Sequence, residues 1–237
     1  MAEYVVEFGK DGGRRETDGR LDAPAFHRNH QAIAGVLAQH LAGRTGAALE
    51  VGSGTGQHVV EFARRFPEIT WWPSDLNDAH LKSIEAWRRH AGLPNIRPPR
   101  RIDVSDAAWG DVIEGESGPD RLCAVFCANV IHIAPWRVAE GLVAGAGRAL
   151  GNGGMLFLYG PFKRGGRHIA ASNEAFDGNL RRGNPDWGVR DVEAVEALAN
   201  RAGLSLAELA DMPANNLTLV FRRNQDLARD PALIPPI

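Results

Sequence analysis

Acid, glycine and hydroxyl side chains alternate over Glu50-Val51-Gly52-Ser53-Gly54-Thr55-Gly56, and Gln57 and His58 follow. Glycines leave backbone N–H groups uncovered, and a helix beginning just past them aims its N-terminal dipole at the same point. Such a turn holds an anionic or strongly polar ligand. The spacing narrows the choice. A dinucleotide fingerprint requires G-x-G-x-x-G, but Gln57 directly follows Gly56, and no Gly-Lys-Ser/Thr comes after to form a P-loop. Glu50, Gly52, Ser53, Gly54, Thr55 and Gly56 are the first candidate ligand contacts. Asp75, with Leu76 beside it, lies 19 residues past Gly56. An acid at that distance accepts ribose hydroxyls in nucleotide-binding βαβ units, or else caps the next helix. Asp103 could accept from an adenine amino group while Val104 covers a ring face, although Ser105 or Asp106 could simply cap the next helix. Asn129 and His132 follow a further apolar run. A neutral imidazole at His132 could take an acceptor's proton near neutral pH, or only hydrogen-bond its own loop.

These side chains matter together only if strand ends converge, and the surrounding pattern provides strand ends. Ala47 to Val51 is an apolar run of strand length, and Val59, Phe62, Ala63 and Phe66 then recur at helical spacing. Ile69 to Ser74 reads as a second strand ending at Asp75. A helix from Ala79 to Ala91 stops at Gly92 and Pro94. A third strand ends at Ile102-Asp103, an acidic connection follows, and the fourth strand is Leu122 to Ala128. Beyond it come a helix (Val138 to Leu150), a fifth strand (Met155 to Tyr159), and a helix (Asp191 to Ala202) closed by Gly203. Two strands, Leu204 to Asp211 and Leu217 to Arg222, end the pattern as a hairpin. A helix from Ala25 to Leu41, with Pro24 at its start, precedes the glycine turn. The alternation predicts an α/β fold with a doubly wound, mostly parallel sheet of seven strands. All the candidates fall just past carboxyl strand ends, where open α/β sheets bind ligands. The expected organisation is a flexible arm over 1–20, one domain over 21–225, and a tail over 226–237.

Glu50-x-Gly-x-Gly-x-Gly resembles the first motif of the class I S-adenosylmethionine (SAM) methyltransferases. A wider set resembles the family catalogued as domain of unknown function 938, across about residues 24–223. It comprises Glu50 to His58, Pro73-Ser74-Asp75, Asp103-Val104-Ser105, Asn129 to His132, Leu158 to Lys163 and Met212 to Asn216. The resemblance implies the Rossmann-like class I methyltransferase fold and SAM as cofactor, and names no acceptor. One position departs: the family's first helix leads one to expect Glu-Arg-Asn, and this chain reads His27-Arg28-Asn29. Arg28 and Asn29 remain candidates for the methionine end of the cofactor.

Residues 160–190 put 31 residues between the fifth strand and the following helix, where α/β connections usually take about 2–6. This stretch reads as a lid over an acceptor, with a short helix from Asn173 to Arg182; the alternative is a peripheral decoration with solvated charges. Tyr159, Phe162, Lys163, Asn173, Phe176, Arg181 and Trp187 are its candidate acceptor contacts. The surplus of Lys163, Arg164, Arg167, Arg181 and Arg182 predicts a polar, anionic acceptor.

Bulk properties bound the rest. The 237 residues suit one domain, and a net charge of −2 argues against a nucleic-acid binder. The loop after the fourth strand also lacks the Asn/Asp-Pro-Pro-aromatic motif of base amino-methylation. No apolar run reaches about 18 residues and no signal-peptide pattern opens the sequence, so a membrane partner is not expected. Cys123 and Cys127 lie about 13 Å apart on one strand, too far for a disulfide. They read as small buried hydrophobes in a reducing, cytoplasmic setting. No acid–histidine set has metal-ligand spacing. The expectation is a SAM-dependent methyltransferase acting on O, N or S of a polar small molecule; the alternative is a SAM-binding sensor or scaffold without turnover.

Overall fold

The computed structural model describes residues 13–110 and 121–225. Its first elements are an antiparallel pair, β1 (Arg14–Arg15) and β2 (Leu21–Asp22), and helix α1 (Pro24–Leu41) with proline at its start. The pair is docked. The N–H of Leu21 donates to Ser83 Oγ (2.9 Å), and its carbonyl accepts from Trp87 Nε1 (2.8 Å). The Arg20 guanidinium lies 4.6 Å from the centre of the Trp87 ring. From Arg14 on, then, the segment expected to be a loose arm pairs with β2 and packs on the helix carrying Ser83 and Trp87; residues 1–12 lie outside the described residues, as do 226–237.

The chain continues through β3 (Gly46–Val51), α2 (Gln57–Arg65), β4 (Ile69–Asp75), α3 (Asp78–Ala91) and β5 (Arg100–Arg101). Then come β6 (Leu122–Ala128), α4 (Trp136–Ala149) and β7 (Leu150–Gly160). The 160–190 region holds β8 (Phe162–Arg164), β9 (Arg167–His168) and α5 (Ala171–Gly183), followed by β10 (Arg190–Asp191). Helix α6 (Val192–Arg201) leads to β11 (Leu204–Met212) and β12 (Asn216–Arg223). The acidic connection expected after the third strand falls largely in 111–120, outside the described residues.

The main sheet has the seven strands expected, and their order is β11-β12-β7-β6-β3-β4-β5. Those from β7 to β5 are parallel neighbours, and β12 runs antiparallel between β7 and β11. Strands β3 and β6 are buried on both faces, which is why they read as continuous apolar runs rather than alternating ones. One face packs on α4 and α6 through Leu142, Val143, Val195 and Leu198; the other packs on α1 and α2 through Ile33, Leu37, Val59 and Phe62.

Successive strands proceed one way from β3 (to β4 and β5) and the other way through β6 and β7, so the switch point lies between β3 and β6. The third strand is shorter than expected: β5 ends at Arg101, and Ile102 and Asp103 lie past it. Both cysteines are free, and burial pushes their thiols up to about 11 (Cys123) and about 12 (Cys127), so neither is a reactive thiolate. Among the described residues no helix is long and apolar enough to cross a membrane.

Candidate active site

A cavity of about 870 Å³ follows the carboxyl edge of the sheet from β5 to β12, within the usual size of small-molecule sites. The glycine turn is its floor. Gly54 has φ 56°, and nothing lies within 4 Å of where its Cβ would be, so a ligand can approach bare backbone there. Gly56 does something else: φ is 89° and a Cβ would come 2.8 Å from Ile84 Cα, so this glycine lets α3 pack close and does not line the cavity. Gly52 and Thr55 do line it. Ser53 is buried beneath the turn, accepting from the Ser74 N–H (3.1 Å) and donating to the Glu50 carbonyl (3.3 Å).

Glu50 is 1 % exposed, and its Oε2 has no hydrogen-bond partner. Burial pushes its pKa up to about 8; a bond from Ser53 opposes this and the charge of Asp75 adds to it. Glu50 does not itself line the cavity; its carboxyl lies buried behind Val51 and Gly52, which do.

The sheet positions the nucleoside candidates at one end. Asp75, Leu76 and Val104 line the cavity, together with Ile102 and His80. Asp75 Oδ2 accepts the Gly54 N–H (2.9 Å), Oδ1 accepts the Asn77 N–H (2.9 Å), and His80 Nδ1 lies 3.2 Å from Oδ1. Asp75 is not the cap of α3; Asn77 is, accepting from the Ala79 N–H at 2.8 Å. Asp103 is exposed and does not line the cavity. Its Oδ1 accepts from the N–H and hydroxyl of Ser105 (2.9 and 2.7 Å), which makes it the stop of its own turn.

At the other end Arg28, Asn29, Asn129 and Tyr159 meet Asn173 and Phe176 of α5. A hydrogen-bond chain sets their orientation. His58 Nε2 donates to Asn29 Oδ1 (2.9 Å), and the Tyr159 hydroxyl faces the side chains of Asn29 and Asn216. Burial brings His58 down to about 4, with His30 adding to the shift, so the imidazole is neutral. Helix α5 is tied down as a roof: Asn173 Nδ2 donates to the Asn215 carbonyl (2.8 Å) and Asn215 Nδ2 to Ser172 Oγ (3.2 Å).

The sequence profile of a family described as "Protein of unknown function (DUF938)" matches residues 20–223. The chain belongs to that family. A tRNA (guanine-N(7)-)-methyltransferase from Myxococcus xanthus (strain DK1622) is 31% identical over 77 residues, 32% of this chain and 34% of that one. An O-methyltransferase family protein from Burkholderia thailandensis superposes with TM-score 0.69 at 16% identity, over 82% of this chain and 56% of the other. A Galdieria sulphuraria protein assigned as a sarcosine dimethylglycine methyltransferase gives 0.64 at 16% identity, over 90% and 92%. This DUF938 chain therefore spans about a third of the first relative and about half of the second. Its fold is that of the class I methyltransferases.

Several of the sequence-chosen residues do not reach the cavity of this DUF938 protein. His132 is wholly buried, its ring 4.7 Å edge-on to Phe162, and a Cβ on Gly160 would stand 2.5 Å from its Nε2. Burial takes it down to about 3, with the Arg190 charge adding to the shift. A sealed, neutral imidazole is a core residue rather than a base facing the acceptor. Phe162 belongs to the core, and Trp187 is half-buried and does not line the cavity.

Two of the five lid cations, Lys163 and Arg181, face a carboxylate of the lid itself, and Arg164, Arg167 and Arg182 are exposed. Asp177, buried on α5, has Lys163 Nζ and His168 Nε2 at 3.3 Å and Arg181 Nε at 3.2 Å, while Arg164 pairs with Asp211 at 2.8 Å. Arg28 is the one lysine or arginine lining the cavity among the described residues, so lid charge does not mark an anionic acceptor. His27, where the resemblance leads one to expect an acid, is 2.6 Å from Asp22, which also accepts from Gln57 (2.7 Å).

His80 and Asn216 were missed. The one available signal for His80 was its place on the first turn of the helix that follows Asp75.

These buried groups set a pH optimum for stability. His58 and His132 bind protons more weakly folded than unfolded, so their contribution is complete above the ordinary histidine value of 6.5 and is lost as pH falls below it. Glu50 binds its proton more tightly when folded, so its contribution is lost as pH rises from 4.5 to about 8. Between 4.5 and 6.5 two histidines outweigh one carboxyl; above 6.5 Glu50 acts alone. Urea unfolding across pH should show a stability maximum near 6.5, with limbs of about 1 kcal/mol per pH unit. Glu50→Gln should flatten the alkaline limb and, because the carboxyl no longer opposes the two histidines, steepen the acid limb between 4.5 and 6.5.

Proposed function

We propose that this chain is a SAM-dependent methyltransferase that alkylates a small polar acceptor held under α5. The observation that carries this is the single cavity running from Asp75 past Gly54 to Tyr159, with Glu50 unsatisfied beneath. SAM supplies a methyl on a sulfonium, which needs little more than a nucleophile held in line. The residues divide the work of holding it. Asp75 takes a ribose hydroxyl, and Leu76, Ile102 and Val104 flank the purine. Asn129 meets the ammonium, with the Glu50 carboxyl buried behind the turn, and Arg28 pairs with the carboxylate. Tyr159, Asn173 and Asn216 orient the acceptor, while Phe176 and the 213–216 connection exclude water.

The likeness to a tRNA methyltransferase favours a second reading, a guanine in RNA. Against it stand a roofed cavity, one lining arginine and a net charge of −2.

Calorimetry should show SAM and S-adenosylhomocysteine binding but no NAD binding; NAD binding without SAM would overturn the reading. Labelled methyl-SAM offered to metabolite pools and to tRNA then separates the acceptors, and binding with no transfer to either would leave a sensor. Asp75→Ala should weaken S-adenosylhomocysteine by about 10- to 100-fold, because bonds to a charged acceptor are worth roughly 1.5–3 kcal/mol. An unchanged affinity would show that Asp75 serves only Gly54 and Asn77.

A further inference from the structure

We infer that His80 is a cofactor-binding residue, the second half of the ribose clamp with Asp75. The inference rests on the cofactor reading above and starts from a count of lone pairs. A carboxylate offers about four acceptor positions. Two already hold hydrogen bonds, Gly54 N–H on Oδ2 and Asn77 N–H on Oδ1, and His80 Nδ1, 3.2 Å from Oδ1, closes off a third. One position remains, on Oδ2, and a ribose carries two vicinal hydroxyls. Asp75 alone cannot take both while keeping its protein bonds.

His80 stands where the second hydroxyl needs a partner. It lines the cavity beside Asp75, and its side chain is 13% exposed. Its Nδ1 faces the carboxylate, and in the tautomer with the proton on Nδ1 the other ring nitrogen, Nε2, is an acceptor. Among the described residues Nε2 has no hydrogen-bond partner in the protein, and it is not sealed from solvent as His132 Nε2 is. The ring also cannot drift. It projects from the first turn of α3, whose start is fixed by the Asn77 cap and by the bond from Asn77 N–H to the same carboxylate. One ribose hydroxyl then donates to Asp75 Oδ2 and its neighbour to His80 Nε2.

A cycle of variants and ligands tests this by calorimetry. The wild type, His80→Ala and His80→Gln are each titrated with S-adenosylhomocysteine and with its 2′-deoxy and 3′-deoxy analogues. His80→Ala should bind S-adenosylhomocysteine about tenfold more weakly, the worth of one hydrogen bond. Against one of the two deoxy analogues it should lose nothing further, because that ligand lacks the hydroxyl His80 accepts. Glutamine, which can donate to Asp75 and accept with Oε1, should recover most of the loss. An equal loss with all three ligands would show that His80 only positions Asp75, and would overturn the inference while leaving the cofactor reading intact. A wild type that binds none of them would overturn both.

Discussion

Gly54→Val should weaken SAM and S-adenosylhomocysteine by about 10³-fold or more, below detection in ordinary calorimetry, while the protein stays folded. Three effects add at this position. The backbone has φ 56°, which costs a β-branched residue about 1–2 kcal/mol. The side chain would occupy the open space above the turn, where the proposed ligand meets bare backbone. Any shift that relieves this also disturbs the Gly54 N–H bond to Asp75, and with it the ribose acceptor. Far-ultraviolet dichroism and urea unfolding should show a native fold a little less stable than wild type. Gly54→Ala, which adds one methyl, should fall between. Wild-type affinity in the valine variant would mean that the ligand does not use this turn.

The second large effect belongs to Asp177. Removing its carboxylate by Asp177→Ala leaves Lys163, His168 and Arg181 gathered around nothing, and strips the Val189 N–H of its acceptor. Breaking a buried ion pair costs roughly 3–5 kcal/mol; the half-exposed Arg181 argues for the lower end. The loss is local, because this cluster joins β8 and β9 to α5. Hydrogen exchange across 163–190 should accelerate sharply while exchange in β3, β4 and β6 stays as in wild type. S-adenosylhomocysteine affinity should change by no more than about threefold, because its proposed contacts come from other strand ends. With an acceptor in hand, kcat/KM should fall by about 100-fold through lost positioning. Unchanged exchange in 163–190 would show that the cluster does not hold the roof.

What was legible in the sequence follows from the range of the forces involved. The glycine turn, Asp75 and the strand–helix alternation are local: a positive φ, an apolar run or a cap is written in adjacent residues. The doubly wound, mostly parallel sheet follows from that alternation, but the insertion of β12 between β7 and β11 does not. Pairings across long separations were not legible. Asn29 bonds His58, 29 residues away, and Asn173 bonds Asn215, 42 residues away, so neither contact leaves a mark in spacing. Counting lid cations gave the wrong sign of information, because the sum of charges says nothing about Asp177 at their centre. His132 was misread for a related reason. Its loop position suggests access to the acceptor, but Gly160 and Phe162, which close over it, belong to β7 and β8, distant in sequence from that loop.

Strand β12 is the last of the sheet strands among the described residues, yet it sits inside the sheet, between β7 and β11. A ribosome delivers β7 more than fifty residues before β12 (216 against 160). For that interval β7 is an unprotected edge carrying Met155-Leu156-Phe157-Leu158-Tyr159, a segment of high β-propensity without charge or proline. The nascent chain is therefore at its most adhesive just before β12 emerges. A chain truncated near residue 203 would keep the glycine turn and Asp75 and still be expected to aggregate, and for this fold the yield of soluble protein depends on how soon the final hairpin arrives.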